Sequence, residues 1–120
     1  MNIEDFRTYC LSKPGVEEGF PFGEGTLVLK VMGKVFALSS LTSPWFRVNL
    51  KCNPERSVEL REEYESIIPG FHMNKKHWNT ITFEYGNLSD KLVLELTNHS
   101  YDLVVSKLTK KLKEELNLII

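Results

Sequence analysis

The densest group of hydrogen-bond donors in the sequence is residues 72–79, His-Met-Asn-Lys-Lys-His-Trp-Asn. Lysine side chains supply a positive field for phosphate groups, asparagine adds directional hydrogen bonds, and tryptophan can stack on a base. These residue types therefore predict contact with a polyanion. For Trp78 alone, a buried position in the core is the stronger prediction, because large aromatic side chains are usually well buried.

The sequence has neither the spacing of a metal site nor that of a catalytic group. His72 and His77 stand five residues apart with no cysteine or carboxylate near them in sequence, which matches no zinc spacing. Cys10 and Cys52 lie in no CxxC or Cys-His context, and no serine stands in a GxSxG or SxxK motif. Gly23-Glu24-Gly25 lacks the context of a phosphate loop and predicts a plain turn. We therefore expect a non-enzymatic protein without a metal or a cofactor.

Charge is unevenly divided along a chain that is almost neutral overall. Fifteen Lys and Arg oppose sixteen Asp and Glu, so a large positive field around the whole molecule is excluded. Residues 25–54 and 66–83 nevertheless contain no acid, and many of the acids fall within residues 55–65. The bases of the two acid-free stretches are Lys30, Lys34, Arg47, Lys51, Lys75 and Lys76. On one sheet surface they would form a patch able to hold phosphates, although exposed strands and sheet edges also carry lysine simply for solubility.

Capping residues mark the predicted helices. Asn2 before two acidic residues predicts a helix over about residues 3–12, and Asn53 before Pro54 predicts a second one to about Tyr64. A third helix is predicted from Ser89, with a bend near residues 98–100 where Ser100 caps a second segment. A last short helix is predicted over about Lys110–Leu116.

Two strands are predicted to form a β-hairpin over residues 26–41, with Gly33-Lys34 as a type II′ turn and Met32 paired with Val35. This register places one set of side chains on the helix-covered face: Leu27, Leu29, Val31, Phe36 and Leu38. It places the other set on the opposite face: Val28, Lys30, Met32, Val35, Ala37 and Ser39.

A third strand, residues 45–52, alternates more regularly than the hairpin. One set of alternating side chains is apolar and should be buried: Phe46, Val48, Leu50 and Cys52. The other set should point to the opposite face: Trp45, Arg47, Asn49 and Lys51. Ile67-Ile68-Pro69-Gly70 is interpreted as a break, and residues Trp78–Tyr85 as a further strand. The sequence therefore predicts one α+β domain over residues 1–120, with an antiparallel β-sheet flanked by helices on one side and a basic open face on the other.

Targeting signals are not evident in the sequence. The first residues, MNIEDFRTY, lack the apolar core of a signal peptide, and no window approaches the roughly 18 apolar residues of a membrane span. Two cysteines are too few for a disulfide framework. We expect a soluble cytoplasmic protein without a membrane partner.

Four segments of the sequence together resemble the MmcQ/YjbR family. They are residues 31–38 (VMGKVFAL), 49–55 (NLKCNPE), 69–80 (PGFHMNKKHWNT) and 99–104 (HSYDLV). The resemblance implies a small bacterial α+β domain, similar in architecture to type III secretion chaperones, and the family's label of DNA-binding protein with a double-wing motif. Carried onto this sequence, the motif positions are Lys34, Lys51, Asn74, Lys75, Lys76, His77, Trp78 and Asn79. Lys30 and Arg47 are added as candidate contact residues only because the alternation of the strands places them on the same face.

Three functions follow from these features. The first is non-enzymatic binding of duplex DNA through the basic sheet face and residues 74–79. The second is a protein-interaction or chaperone-like adaptor that uses the open sheet face, where apolar residues mix with the charges. The third is a small-ligand binder or enzyme with His72 and His77 in a pocket.

Overall fold

The computed structural model describes residues 1–83 and 88–120 and contains four helices and six strands in these ranges. The elements are α1 (Ile3–Leu11), β1 (Val16–Gly19), β2 (Thr26–Val31), β3 (Lys34–Ser40), β4 (Arg47–Lys51), α2 (Pro54–Glu63), β5 (Ile67–Pro69), β6 (Trp78–Thr82), α3 (Asp90–Ser106) and α4 (Lys110–Ile119). The strands form one antiparallel sheet in the order β1-β2-β3-β4-β6-β5. The α+β class with an antiparallel sheet is confirmed.

Local capping explains where the helices begin. The side chains of Asn2 and Asn53 each accept a hydrogen bond from a backbone N–H in the first turn of their helix, as predicted, and Ser89 and Thr109 do the same for α3 and α4. The predicted bend in α3 is wrong. Ser100 caps no second segment, because α3 continues through it and its side chain is fully buried against the sheet.

Two short edge strands were not predicted. Residues 67–69, interpreted as a break, form β5 against β6, and residues 16–19 form β1 against β2. Strands of three or four residues are too short to show a hydrophobic period. Pro69 is tolerated because an edge strand needs hydrogen bonds on one side only. The predicted strand from Trp78 is confirmed to Thr82, and its last two residues, Glu84 and Tyr85, lie outside the described residues.

The hairpin turn lies one residue earlier than predicted. Val31 pairs with Lys34, so the two loop residues are Met32 and Gly33, with φ values of 50° and 82°. Positive φ at both positions is the signature of a type I′ turn. The predicted type II′ turn at Gly33-Lys34 is therefore wrong, and Lys34 belongs to β3.

A β-bulge at Phe36 then changes the facing of the rest of β3. Leu29 pairs with Ala37 and Lys30 with Val35, which leaves Phe36 as the extra residue. Phe36 and Ala37 consequently both contact the main core, whereas Leu38 lies on the opposite face beside Val28. The predicted facing is confirmed for Leu27, Leu29, Val31, Phe36, Val28, Lys30 and Val35, and it is wrong for Met32, Ala37, Leu38 and Ser39.

The main core lies between one face of the sheet and the four helices. Each helix contributes buried side chains to it: Phe6 and Cys10 from α1, Leu60 from α2, Val93, Leu96 and Val104 from α3, and Leu116 from α4. The sheet contributes the predicted apolar phase of β4, including Val48 and Leu50, together with Cys52 just after that strand. The opposite face, called the open face below, carries no helix from the main core.

The connection between β5 and β6, residues 70–77, folds over part of the open face. Trp78, Val28 and Leu38 form a second, smaller core there, with Val35 and Met73 packed against it. Trp78 is 9% exposed, so the predicted core position is confirmed. Within the described ranges, no helix has the length and apolar character to cross a membrane.

Candidate functional site

Strand register brings three of the predicted cations to the open face. Arg47 pairs with Thr82, Lys51 with Trp78, and Lys30 with Val35, and each of these partners lies opposite the main core. Lys34 does not join them, because it pairs with Val31 of the main core and stands at the tip of the hairpin. The shift of the turn by one residue is the physical reason.

The connection over residues 70–77 adds exposed donors beside the open face. Asn74, Lys75, Lys76 and His77 are all exposed. The Asn74 side chain accepts a hydrogen bond from the backbone N–H of Lys76, and the Lys75 Nζ donates to the carbonyl of Gly70 at 3.0 Å. The segment is therefore a folded turn that displays charge.

Asn79, also predicted as a contact residue, lies inside the protein on the helix side. It is 1% exposed, accepts a hydrogen bond from Arg61 Nε at 2.7 Å and donates to the hydroxyl of Ser57. Arg61 also donates to the carbonyl oxygens of Lys75 and Trp78. Arg61 thus fastens α2 to the 70–77 connection, a role that its sequence position in an acidic helix did not reveal.

The cations of this surface form no ion pair with a carboxylate of a described residue. The ion pairs in the described part of the chain are those of the N-terminus with Asp90, Arg7 with Glu18, and Arg56 with Glu95. None of them uses a cation of the open face. Glu17 on β1 does lie opposite Lys30 in the register, so the positive field is strongest away from β1.

A groove of about 450 Å³ crosses the open face next to the 70–77 connection. Its lining residues are Phe22, Thr26, Leu38, Ser40, Arg47, Asn49, Phe71, His72 and Met73. We call this the open-face groove. It brings together two predicted polar residues of β4 with His72, and it adds two aromatic walls that were not predicted.

Arg47 forms the cationic part of the open-face groove. It is half-buried, its Nε donates to the hydroxyl of Thr82 at 3.3 Å, and its guanidinium carbon lies 5.8 Å from the centre of the Phe71 ring. The hydrogen bond and the ring contact orient the guanidinium, and no carboxylate of a described residue pairs with it. This geometry suits the binding of an anion in the groove.

Phe71 is held in place through its backbone although its ring is 53% exposed. Its N–H donates to the hydroxyl of Thr80 at 2.8 Å, and that hydroxyl donates in turn to Asn49 Oδ1 at 2.5 Å. Gly70 before it has no room for a side chain, because a Cβ there would lie 2.8 Å from the Cβ of Trp78. The backbone that carries the exposed ring is therefore held in place, and the ring itself packs against His72, with ring centres 4.1 Å apart.

A second cleft, of about 300 Å³, lies at the other end of β4. Lys51, His77 and Lys107 line it, and the Lys51 Nζ lies 5.9 Å from the centre of the Trp78 ring. The predicted site residues are therefore divided between two places, with Arg47 and Asn49 in the groove and Lys51 and His77 at the cleft.

Among the described residues, burial shifts the pKa values of Cys10 and His99. Burial raises the pKa of the Cys10 thiol to about 12, so the reactive thiolate is not formed near neutral pH. Burial, reinforced by Arg56, lowers the pKa of His99, in agreement with a neutral ring whose Nε2 accepts from the N–H of Asn53. Across residues 1–83 and 88–120, no group of three His, Cys, Asp or Glu side chains is placed to hold a metal ion.

Fold and site together define an α+β domain whose helices cover one face of an antiparallel sheet and whose other face carries a cationic, aromatic groove. The chain belongs to the YjbR family, whose model matches residues 11–103. The resemblance seen in the sequence motifs is thereby confirmed.

Known relatives agree with this assignment over most of their length. The chain is 40% identical over 108 residues to Uncharacterized protein YbdF of Escherichia coli O157:H7, covering 90% of this chain and 88% of that protein. It is 31% identical over 111 residues to Uncharacterized protein YjbR of Escherichia coli K12, covering 92% of this chain and 93% of that protein. The crystal structure of Deinococcus radiodurans protein DR2400, with a DUF419 domain, superposes with a TM-score of 0.90 at 41% identity, covering 97% of this chain and 88% of that one. These names state no activity, so function must be argued from the site.

Proposed function

We propose that this domain is a non-enzymatic nucleic-acid-binding protein of the cytoplasm, where its two free cysteines stay reduced. The cations of the open face and of residues 74–77 contact the phosphates. Arg47, Lys51, Lys75 and Lys76 form the centre of this contact, and Lys30 adds to its edge.

The observation that carries the proposal is the separation of charge between the two layers. Lys30, Arg47 and Lys51 share the open face of the sheet, Lys75 and Lys76 are exposed in the connection beside it, and none of the five makes an ion pair with a carboxylate of a described residue. Helix α2, with its exposed glutamates, contributes Leu60 to the core on the opposite side. A molecule of formal charge −1 can therefore still present a positive surface to a polyanion.

A salt series on the wild-type protein tests this function. Four to five phosphate contacts predict that the logarithm of the association constant for duplex DNA falls with the logarithm of salt concentration at a slope of roughly −4. Fluorescence anisotropy of a labelled duplex between low and physiological salt measures that slope. Absence of binding at low salt would refute the proposal.

Exposed apolar residues favour a protein-interaction surface as the second candidate function. Phe20, Phe22, Leu41 and Trp45 are exposed in the two loops at the end of the sheet where β4 begins. An adaptor that binds a protein through apolar contacts needs no phosphate contacts, so the same titration of duplex DNA separates the two candidates. Absence of duplex binding at low salt would favour the protein-interaction function.

A further inference from the structure

We infer that the open-face groove binds one unpaired nucleotide of a single strand, with its phosphate at Arg47 and its base against Phe71. This inference rests on the proposed nucleic-acid function and specifies its ligand. It predicts that the protein prefers single-stranded over duplex DNA.

Arg47 provides the contact for the phosphate. Of its guanidinium nitrogens, Nε is engaged with Thr82, and no carboxylate of a described residue pairs with the group. A guanidinium offers a planar set of donors that fits the oxygens of a phosphate two at a time. Among the described residues, the remaining guanidinium nitrogens are therefore available for an anion that binds in the groove.

The aromatic walls provide the contact for the base. Phe71 is 53% exposed and Phe22 is 71% exposed, and both line the groove that contains Arg47. Aromatic side chains beside a cation are the usual platform for an unpaired base, because every base presents a π face. The backbone hydrogen bond from Phe71 to Thr80 holds the backbone of one platform, and the His72 ring, 4.1 Å away between centres, packs beside the Phe71 ring.

Size and polar groups complete the fit. The groove volume of about 450 Å³ lies within the range of roughly 300–1,000 Å³ that is usual for small-molecule sites. Thr26, Ser40 and His72 line it with groups able to hydrogen-bond the edge of a base. In a duplex the bases are stacked and paired, so their faces are closed to such a groove.

Removal of one ring tests the inference, and the chain offers a matched control. Phe71→Ala removes the groove wall, whereas Phe20→Ala removes a ring of similar exposure, 48%, that does not line the groove. The probes are a labelled twelve-nucleotide oligothymidylate and a twelve-base-pair duplex, titrated by anisotropy at one low salt concentration. Thermal unfolding confirms that both variants are folded.

We expect Phe71→Ala to weaken binding of the single strand about tenfold, to change duplex binding less than twofold, and Phe20→Ala to change neither. Arg47→Lys, which keeps the charge and loses the planar donors, should weaken single-strand binding several-fold. Equal effects of the two phenylalanine variants on single-strand binding would overturn the inference.

Failure of this inference is distinguishable from failure of the proposed function. If duplex and single strand bind equally well and Phe71→Ala affects neither, the groove inference is wrong and the phosphate-binding function stands. If the wild-type protein binds neither probe, the function itself is wrong. Competition with thymidine monophosphate shows whether the groove takes a nucleotide within a strand or a free nucleotide. Binding of free thymidine monophosphate as tight as that of the oligothymidylate would also overturn the inference.

Discussion

Replacing Ser100 by alanine should lower the free energy of unfolding by about 2–4 kcal/mol, although the change removes a single oxygen atom. The Ser100 hydroxyl donates to the carbonyl of Phe36 at 2.6 Å and accepts from the N–H of Lys51 at 2.9 Å. Without it, a buried carbonyl and a partly buried N–H lose their partner. Urea denaturation followed by circular dichroism measures the effect.

The reason for this large effect is the bulge in β3. The β3–β4 pairing ends at Ala37 and Leu50, so the next position along the two strands is Phe36 opposite Lys51. The extra residue of the bulge interrupts the ladder there, and the Ser100 hydroxyl of α3 bridges the gap. It thereby fastens α3 to the strand that carries Arg47 and Lys51.

A serine on the same helix supplies the control. The Ser106 hydroxyl is exposed and donates to the carbonyl of Leu103 within α3. Ser106→Ala should therefore change the free energy of unfolding by less than about 0.5 kcal/mol. Equal effects of the two substitutions would contradict the bridging role of Ser100.

Trp78→Ala should have the larger cost, about 3–5 kcal/mol of unfolding free energy, because it empties the small core under the 70–77 connection. The ring of Trp78 packs with Val28 and Leu38 on the open face, and Met73 of the connection packs against them. Loss of this core should also release the wall of the open-face groove. Denaturation curves give the stability, and limited proteolysis reports opening of the connection.

Trp45→Ala is the matched control for that substitution. Trp45 is 48% exposed in the loop before β4, so its removal should cost less than about 1 kcal/mol. A small cost for Trp78→Ala, comparable to that of Trp45→Ala, would show that the connection is held to the sheet by other contacts.

Local signals made much of the fold predictable. Asn2, Asn53 and Ser89 cap helices through hydrogen bonds within one turn, so their effect is visible in a short stretch of sequence. The strict alternation over residues 45–52 likewise gave the correct facing of Arg47 and Lys51. Both signals depend on neighbours in sequence and on no distant contact.

Long-range contacts explain what the sequence did not reveal. The bulge at Phe36 is stabilised by Ser100, which is 64 residues away, so no pattern within β3 announces it. Asparagine is usually exposed, and the burial of Asn79 depends on hydrogen bonds with Arg61 and Ser57, which are distant in sequence. Phe71 was missed as a site residue because an aromatic side chain ordinarily indicates a core position.

The most direct test of the account compares two sets of three lysines. Lys30→Gln, Lys51→Gln and Lys76→Gln together remove three charges from the open face and from the 70–77 connection beside it. Lys110→Gln, Lys111→Gln and Lys113→Gln remove the same charge from α4, whose Leu116 packs into the main core on the helix side. Lys75 is left unchanged because it supports the carbonyl of Gly70.

The measurement is the salt dependence of oligonucleotide binding for the wild-type protein and the two triple variants. We predict that the open-side variant loses about one unit of slope per lysine, while the α4 variant keeps the wild-type slope. Equal slopes for the two variants would contradict the claim that this protein contacts phosphates through the open face of its sheet.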